Sequence, residues 1–158
     1  MNLAAEIEKK LAELGLELPP PVAPVAAYVG YKKSGNLVFV SGQLPLKGGK
    51  PTQTGKLGAG VTTEQGYEAA RQCALNILSQ LKSAVGGDWS KVVQVIRLGG
   101  FVACVPEYVD APKCINGASE LMVKLFGEAG EHARAAVGVA SLPANVSVEV
   151  EATFEIKS

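Results

Sequence analysis

Near its C-terminus the chain sets an arginine beside a row of glutamates, and this is the pairing whose residue types could do chemistry. Arg134 begins the run Arg134-Ala135-Ala136-Val137-Gly138-Val139-Ala140. Side chains alternate along a strand, so Arg134 shares its face with Ala136, Gly138 and Ala140. A guanidinium at the end of a face almost bare of side chains reads as the floor of a shallow pocket. After Pro143-Ala144-Asn145 a second run follows, in which Val148, Val150, Ala152, Phe154 and Ile156 alternate with Glu149, Glu151, Thr153 and Glu155. That period of two describes a strand with one apolar and one acidic face. The two runs are expected to form a hairpin across the Pro-Ala-Asn turn. An arginine to hold an anion and a glutamate to move a proton are a minimal set for chemistry on a small carboxylate. The plainer reading of the same residues is a solvated acidic face and a surface arginine.

The elements that must position these residues follow from periodicity and turn chemistry. Ile7, Leu11 and Leu14 lie at helical spacing among Glu and Lys, and Gly15 ends that helix. The segment 1–18 is thus an N-terminal helix, and 19–24, with Pro19-Pro20-Pro21 and Pro24, is a linker that excludes regular structure. Residues 25–158 form the single domain that follows. Val25 to Lys33 and Leu37 to Ser41 are expected strands around the turn Ser34-Gly35-Asn36. Pro45 to Gly60 is a long loop, rich in Gly, Lys, Thr and Gln. Thr62 and Gln65 have capping-box spacing at the start of a helix whose stripe runs Tyr67, Ala70, Ala74, Ile77, Leu78, Leu81 and Val85. Val92 to Val105 is a long strand, and Gly99-Gly100 within it marks a bulge or a close backbone approach. Asp110 caps a second helix with Pro112 in its first turn and Ile115, Ala118, Met122, Leu125 and Phe126 on its buried stripe.

The body is therefore ββαβαββ after the extra N-terminal helix, an α+β two-layer sandwich with both helices on one face of the sheet. The other face is expected to carry Arg134 and the glutamates, open for a second copy of the chain.

Composition bounds the function. A chain of 158 residues is of single-domain size and buries enough surface to fold without disulfide or metal. Apolar content of 47% with 19% charged residues describes a globular protein. Fifteen basic and fifteen acidic residues give no net charge, which argues against nucleic acid as a partner. Cys73, Cys104 and Cys114 have no ligand spacing and are read as thiols of a reducing, cytoplasmic compartment. One histidine and no phosphate-binding glycine loop imply neither metal nor cofactor. No apolar run reaches the length of a membrane span, and the charged N-terminus is not a signal peptide.

Several motifs, in order, resemble the Rid family of reactive-intermediate deaminases, also called the YjgF or L-PSP endoribonuclease-like family. They are Tyr28 with Ser34-Gly35-Asn36-Leu37, then Val40-Ser41-Gly42-Gln43-Leu44-Pro45, and the tail Ala133-Arg134-Ala135-Ala136-Val137, Leu142-Pro143 and Val148-Glu149-Val150-Glu151-Ala152. The resemblance implies a chorismate-mutase-like fold assembled as a homotrimer with active sites between subunits. It implies hydrolysis of enamines and imines such as 2-aminoacrylate to 2-keto acids and ammonia. Carried over by position, Arg134 would hold the substrate carboxylate and Glu151 would position or deprotonate the attacking water. Ser41 and Gly42 would line the site, Tyr28 would close one wall, and Asn116 would join the same cleft. Glu149 has no catalytic part in this scheme, and His132, a surface or capping residue, stays outside the catalytic set. The position two after the arginine, a cysteine in many deaminase members, is Ala136 here. The chain is also longer than the typical member, through the N-terminal helix and the loop from Lys47 to Gly60. The competing functions are a non-catalytic binder of small carboxylates and a ribonuclease or translation inhibitor.

Overall fold

A computed structural model describes residues 3–158; Met1 and Asn2, at the head of the expected N-terminal helix, lie outside the described residues. Helix α1 (Leu3–Glu13) comes first, followed by β1 (Tyr31–Ser34) and β2 (Leu37–Gln43). The long loop is not structureless: β3 (Leu46–Lys47) pairs with β4 (Lys50–Pro51), and β5 (Lys56–Leu57) with β6 (Gly60–Val61). Then come α2 (Thr63–Ala84), β7 (Val92–Ala103), α3 (Ala111–Phe126), β8 (Ala133–Val139) and β9 (Val148–Ile156). The five long strands form one sheet in the order β1-β2-β9-β7-β8. Helices α2 and α3 cover one face of it, as the stripes require.

The helices start where the sequence says. The Thr62 hydroxyl accepts from Gln65 N–H while the Gln65 side chain accepts from Thr62 N–H, the reciprocal capping box. Asp110 holds the N-cap position of α3, but its carboxylate pairs with Lys113 at 3.3 Å instead of capping the backbone. One core joins Leu78 and Leu81 of α2 and Ile115 and Met122 of α3 to Val38, Leu98, Val150 and Phe154 of the sheet. Helix α1 is part of that core, with Ile7 and Leu11 buried. Its Glu8 carboxylate accepts from both Lys82 Nζ (2.6 Å) and Trp89 Nε1 (3.0 Å), which fastens α1 to α2. The ammonium and indole donors hold the Glu8 carboxyl below the ordinary carboxylate range.

The C-terminal hairpin does not form. β8 pairs parallel with β7, and β9 runs antiparallel between β2 and β7, so β7 separates the two runs. The reason is the route of the chain: α3 carries it across the helix layer to the outer edge beside β7, and parallel pairing after such a crossover is the outcome that βαβ units favour. β9 then takes the interior position, where its apolar face Val148, Val150, Ala152, Phe154 and Ile156 is buried. The expected strand from Val25 is also cut short, since β1 begins at Tyr31. Gly99 and Gly100 stay in register with both neighbours, so no bulge forms there. A Cβ at either would collide with Glu151 or Ile115, so close approach is their reason. No helix among the described residues is long and apolar enough to cross a membrane.

Candidate functional site

Two separate constellations contain the predicted site residues. The first is built on β2. Val40 pairs with Ala152 and Gln43 with Val150, so Ser41 and Gly42 together stand opposite the single residue Glu151. This is a β-bulge, a device that re-aims backbone and side chains at sheet edges and active sites. It leaves Ser41 N–H to donate to Gly30 O at 3.0 Å, and the Ser41 hydroxyl to donate to Val29 O at 2.6 Å. β1 begins at Tyr31, and 25–30 before it runs as a bent wall that carries Tyr28. Ser41 builds that wall and spends its own donors on it. Three buried side chains of α2 hold the chain that leads into this wall and the chain that leaves β2. Ser79 donates to Pro19 O, Gln80 to Val22 O at 2.9 Å, and Asn76 to the carbonyls of Leu44 and Leu46. A period-3.6 reading sees α2 only through its apolar stripe and passes over these three. The cleft between wall and bulge has a volume of about 130 Å³, and Tyr28, Gly42 and Asn76 are among its lining residues.

Glu149 belongs to this constellation. Its carboxylate fills the space where a side chain at position 42 would begin, so Gly42 has no Cβ because Glu149 is there. Burial, and then the charge of Glu151, push the Glu149 carboxyl above its ordinary range. Glu151 differs. It packs against Gly99 and pairs with Arg97 at 3.6 Å, with about half of each side chain in solvent.

The second constellation surrounds Arg134 on the edge strand β8. Arg134 pairs with Leu98, which is buried under the helices. Paired residues on neighbouring strands point the same way. Arg134 therefore lies on the helix side of the sheet, not on the open face with the glutamates as expected. Its Nη1 donates to Asn116 Oδ1 at 2.8 Å and to Ser119 Oγ at 3.2 Å, both on α3. Asn116 thus accompanies Arg134 and not Tyr28. Among the described residues Arg134 has no ion pair. An exposed guanidinium with one amino group tied down and the rest free is suited to a carboxylate. His132 and Ser119 adjoin it, and the serine carries no signal in the sequence. Two strands, β9 and β7, separate the bulge on β2 from β8, and Glu149 and Arg134 point from opposite faces. One chain cannot close the two halves on one small molecule.

A family model described as YjgF/chorismate mutase-like, putative endoribonuclease, matches residues 8–155. A crystal structure of a protein of unknown function from Agrobacterium tumefaciens is 51% identical, with a TM-score of 0.93 over 98% of this chain and 95% of that one. Protein TCP17 of Trypanosoma cruzi is 42% identical over 98% of this chain and 97% of its own length. A 2-iminobutanoate/2-iminopropanoate deaminase of Dermatophagoides farinae is 27% identical over 88% and 91%.

Proposed function

This chain belongs to the YjgF/chorismate-mutase-like family, and on that premise we propose that it hydrolyses 2-imino acids, and the enamines in equilibrium with them, to 2-oxo acids and ammonia. The site is completed between copies of the chain in a homotrimer in the cytoplasm. The observation that carries this reading is the split site. A free guanidinium edge at Arg134 and a carboxyl of raised proton affinity at Glu149 are complementary tools held on opposite faces of one chain. The similarity to a relative named as a 2-iminobutanoate/2-iminopropanoate deaminase supports the substrate class.

In this scheme Arg134, squared by Asn116, grips both oxygens of the substrate carboxylate and aims the C=N carbon into the cleft of a second copy. Glu149 takes a proton from the water that adds to that carbon. It gives that proton to the imine nitrogen, which completes a carbinolamine, and then passes the carbinolamine's hydroxyl proton to the same nitrogen as the C–N bond breaks, so that ammonia leaves as the C=O forms. A carboxyl whose pKa lies above the ordinary range serves both directions better than a solvated one. Glu149 takes the role first expected of Glu151, which acts by raising the proton affinity of Glu149. Tyr28 and Gly42 shape the wall against which the substrate lies.

Keto-acid release from imines generated by an amino-acid oxidase tests the assignment. Glu149→Gln should lower kcat by about two to four orders of magnitude while 2-oxo acid binding persists. Glu151→Gln should retain most of the activity. Loss in Glu151→Gln with a fully active Glu149→Gln would return the role to Glu151. A wild type that binds oxo acids and turns over no imine would favour the non-catalytic binder.

A further inference from the structure

His132 is the only histidine of the chain, and the chemistry above gives it no part. Its ring is held at both nitrogens. Nδ1 lies 2.6 Å from Gly130 O, and Nε2 lies 2.9 Å from Ser119 Oγ. A carbonyl oxygen only accepts, so Nδ1 carries the proton and donates it. In the neutral ring Nε2 is then a bare acceptor, and the Ser119 hydroxyl must donate to it. With its one proton committed, Ser119 Oγ turns its lone pairs to the incoming Nη1 of Arg134. The other Nη1 proton goes to Asn116 Oδ1. Both Nη1 protons are thereby consumed, and the edge formed by Nη2 and Nε is the one left for a carboxylate.

We propose that His132 is a positioning residue which, through Ser119, fixes the plane of the Arg134 guanidinium and so selects the edge offered to the substrate carboxylate. The proposal rests on the reading of Arg134 as the carboxylate holder. Without the imidazole the Ser119 hydroxyl rotates freely. Arg134 keeps its charge but loses one of the two contacts that hold its plane.

Calorimetric titration of a 2-oxo acid onto wild type, His132→Ala, Ser119→Ala and the double variant tests this without turnover. Each single variant should weaken binding by about tenfold, and the double variant no more than either single, because the two residues act as one unit. KM should rise with a smaller change in kcat. His132→Gln, whose amide oxygen can accept the Ser119 proton, should recover most of the affinity. Single variants that bind like wild type overturn the proposal and leave the deaminase reading intact. Losses that multiply in the double variant, or a lowered thermal midpoint with unchanged affinity, overturn it too, since the ring would then only tie residues 130–132 to α3. A wild type that binds no 2-oxo acid removes the carboxylate reading of Arg134 and this proposal with it.

Discussion

Glu149 and Glu151 are alike in the strand pattern and unlike in their neighbours. Alternation puts Glu149 and Glu151 on the same face and makes them equivalent. The bulge at Ser41-Gly42 breaks that equivalence, since it brings a side-chain-free position beside Glu149 and leaves Glu151 to Arg97. Burial and the Glu151 charge raise the Glu149 pKa, and this has a consequence for stability. In the unfolded chain the carboxyl titrates at its ordinary value of 4.5. Between that value and the raised folded value the native state still holds a proton that the unfolded chain has lost. Stability therefore falls as pH rises through this window. The contribution of the group is complete below the ordinary value and is lost as pH passes the folded one. Glu149→Gln cannot ionise and escapes the loss. Urea unfolding at fixed protein concentration from about pH 4 to about pH 8 should find the two proteins alike at the acid end and the variant more stable at the other. Parallel curves across the range would mean that the carboxyl is not strained in the folded state.

At the scale of elements, the contact between α2 and α3 sets where Asn116 and Ser119 stand. Gly117 is a point of close approach: a Cβ there would run into the backbone carbonyl of Tyr67. Beside it the Tyr67 hydroxyl donates to Glu120 across the same contact. Backbone cannot swing aside as a flexible side chain can. Gly117→Ala should therefore push the helices apart and cost about 3 kcal/mol of stability. The measurement is the denaturation midpoint, and an unchanged value would show that the helices slide at no cost. Both helices were legible in the sequence because their signals are local: a capping box, a stripe at period 3.6, a glycine stop. The same holds for the period of β8 and β9. Pairing partners are not local. Nothing in Pro143-Ala144-Asn145 says that β9 will enter between β2 and β7. Alternation tells which residues accompany Arg134, while the side of the sheet they face is fixed by Leu98 across the ladder. The bulge was hidden for the same reason, because it exists only relative to the register of β9.

For the molecule as a whole, the separation of the two constellations makes assembly a matter of chemistry. The sheet face opposite the helices exposes Phe39, and Tyr28 and Val29 stand out beside the bulge. These are large apolar groups at the rim of the half-site that holds Glu149. If a second copy covers them and brings its own Arg134, each site takes its guanidinium from one chain and its carboxyl from another. That arrangement has a signature no single-chain site can give. Arg134→Ala removes the anion grip and Glu149→Gln the proton carrier, so each variant alone is inactive. In oligomers mixed from the two, some sites pair the intact arginine of a Glu149→Gln chain with the intact glutamate of an Arg134→Ala chain. With equal and random mixing in a closed ring, a given site draws its arginine from the right variant half of the time, and its glutamate likewise. About one quarter of the sites should then be whole. Refolding the two variants together should restore about a quarter of wild-type turnover, while refolding either alone restores none. Native mass spectrometry of the same samples reports whether mixed trimers formed. Mixed trimers without recovered turnover would mean that Arg134 and Glu149 serve no common site, and the proposed mechanism would fall.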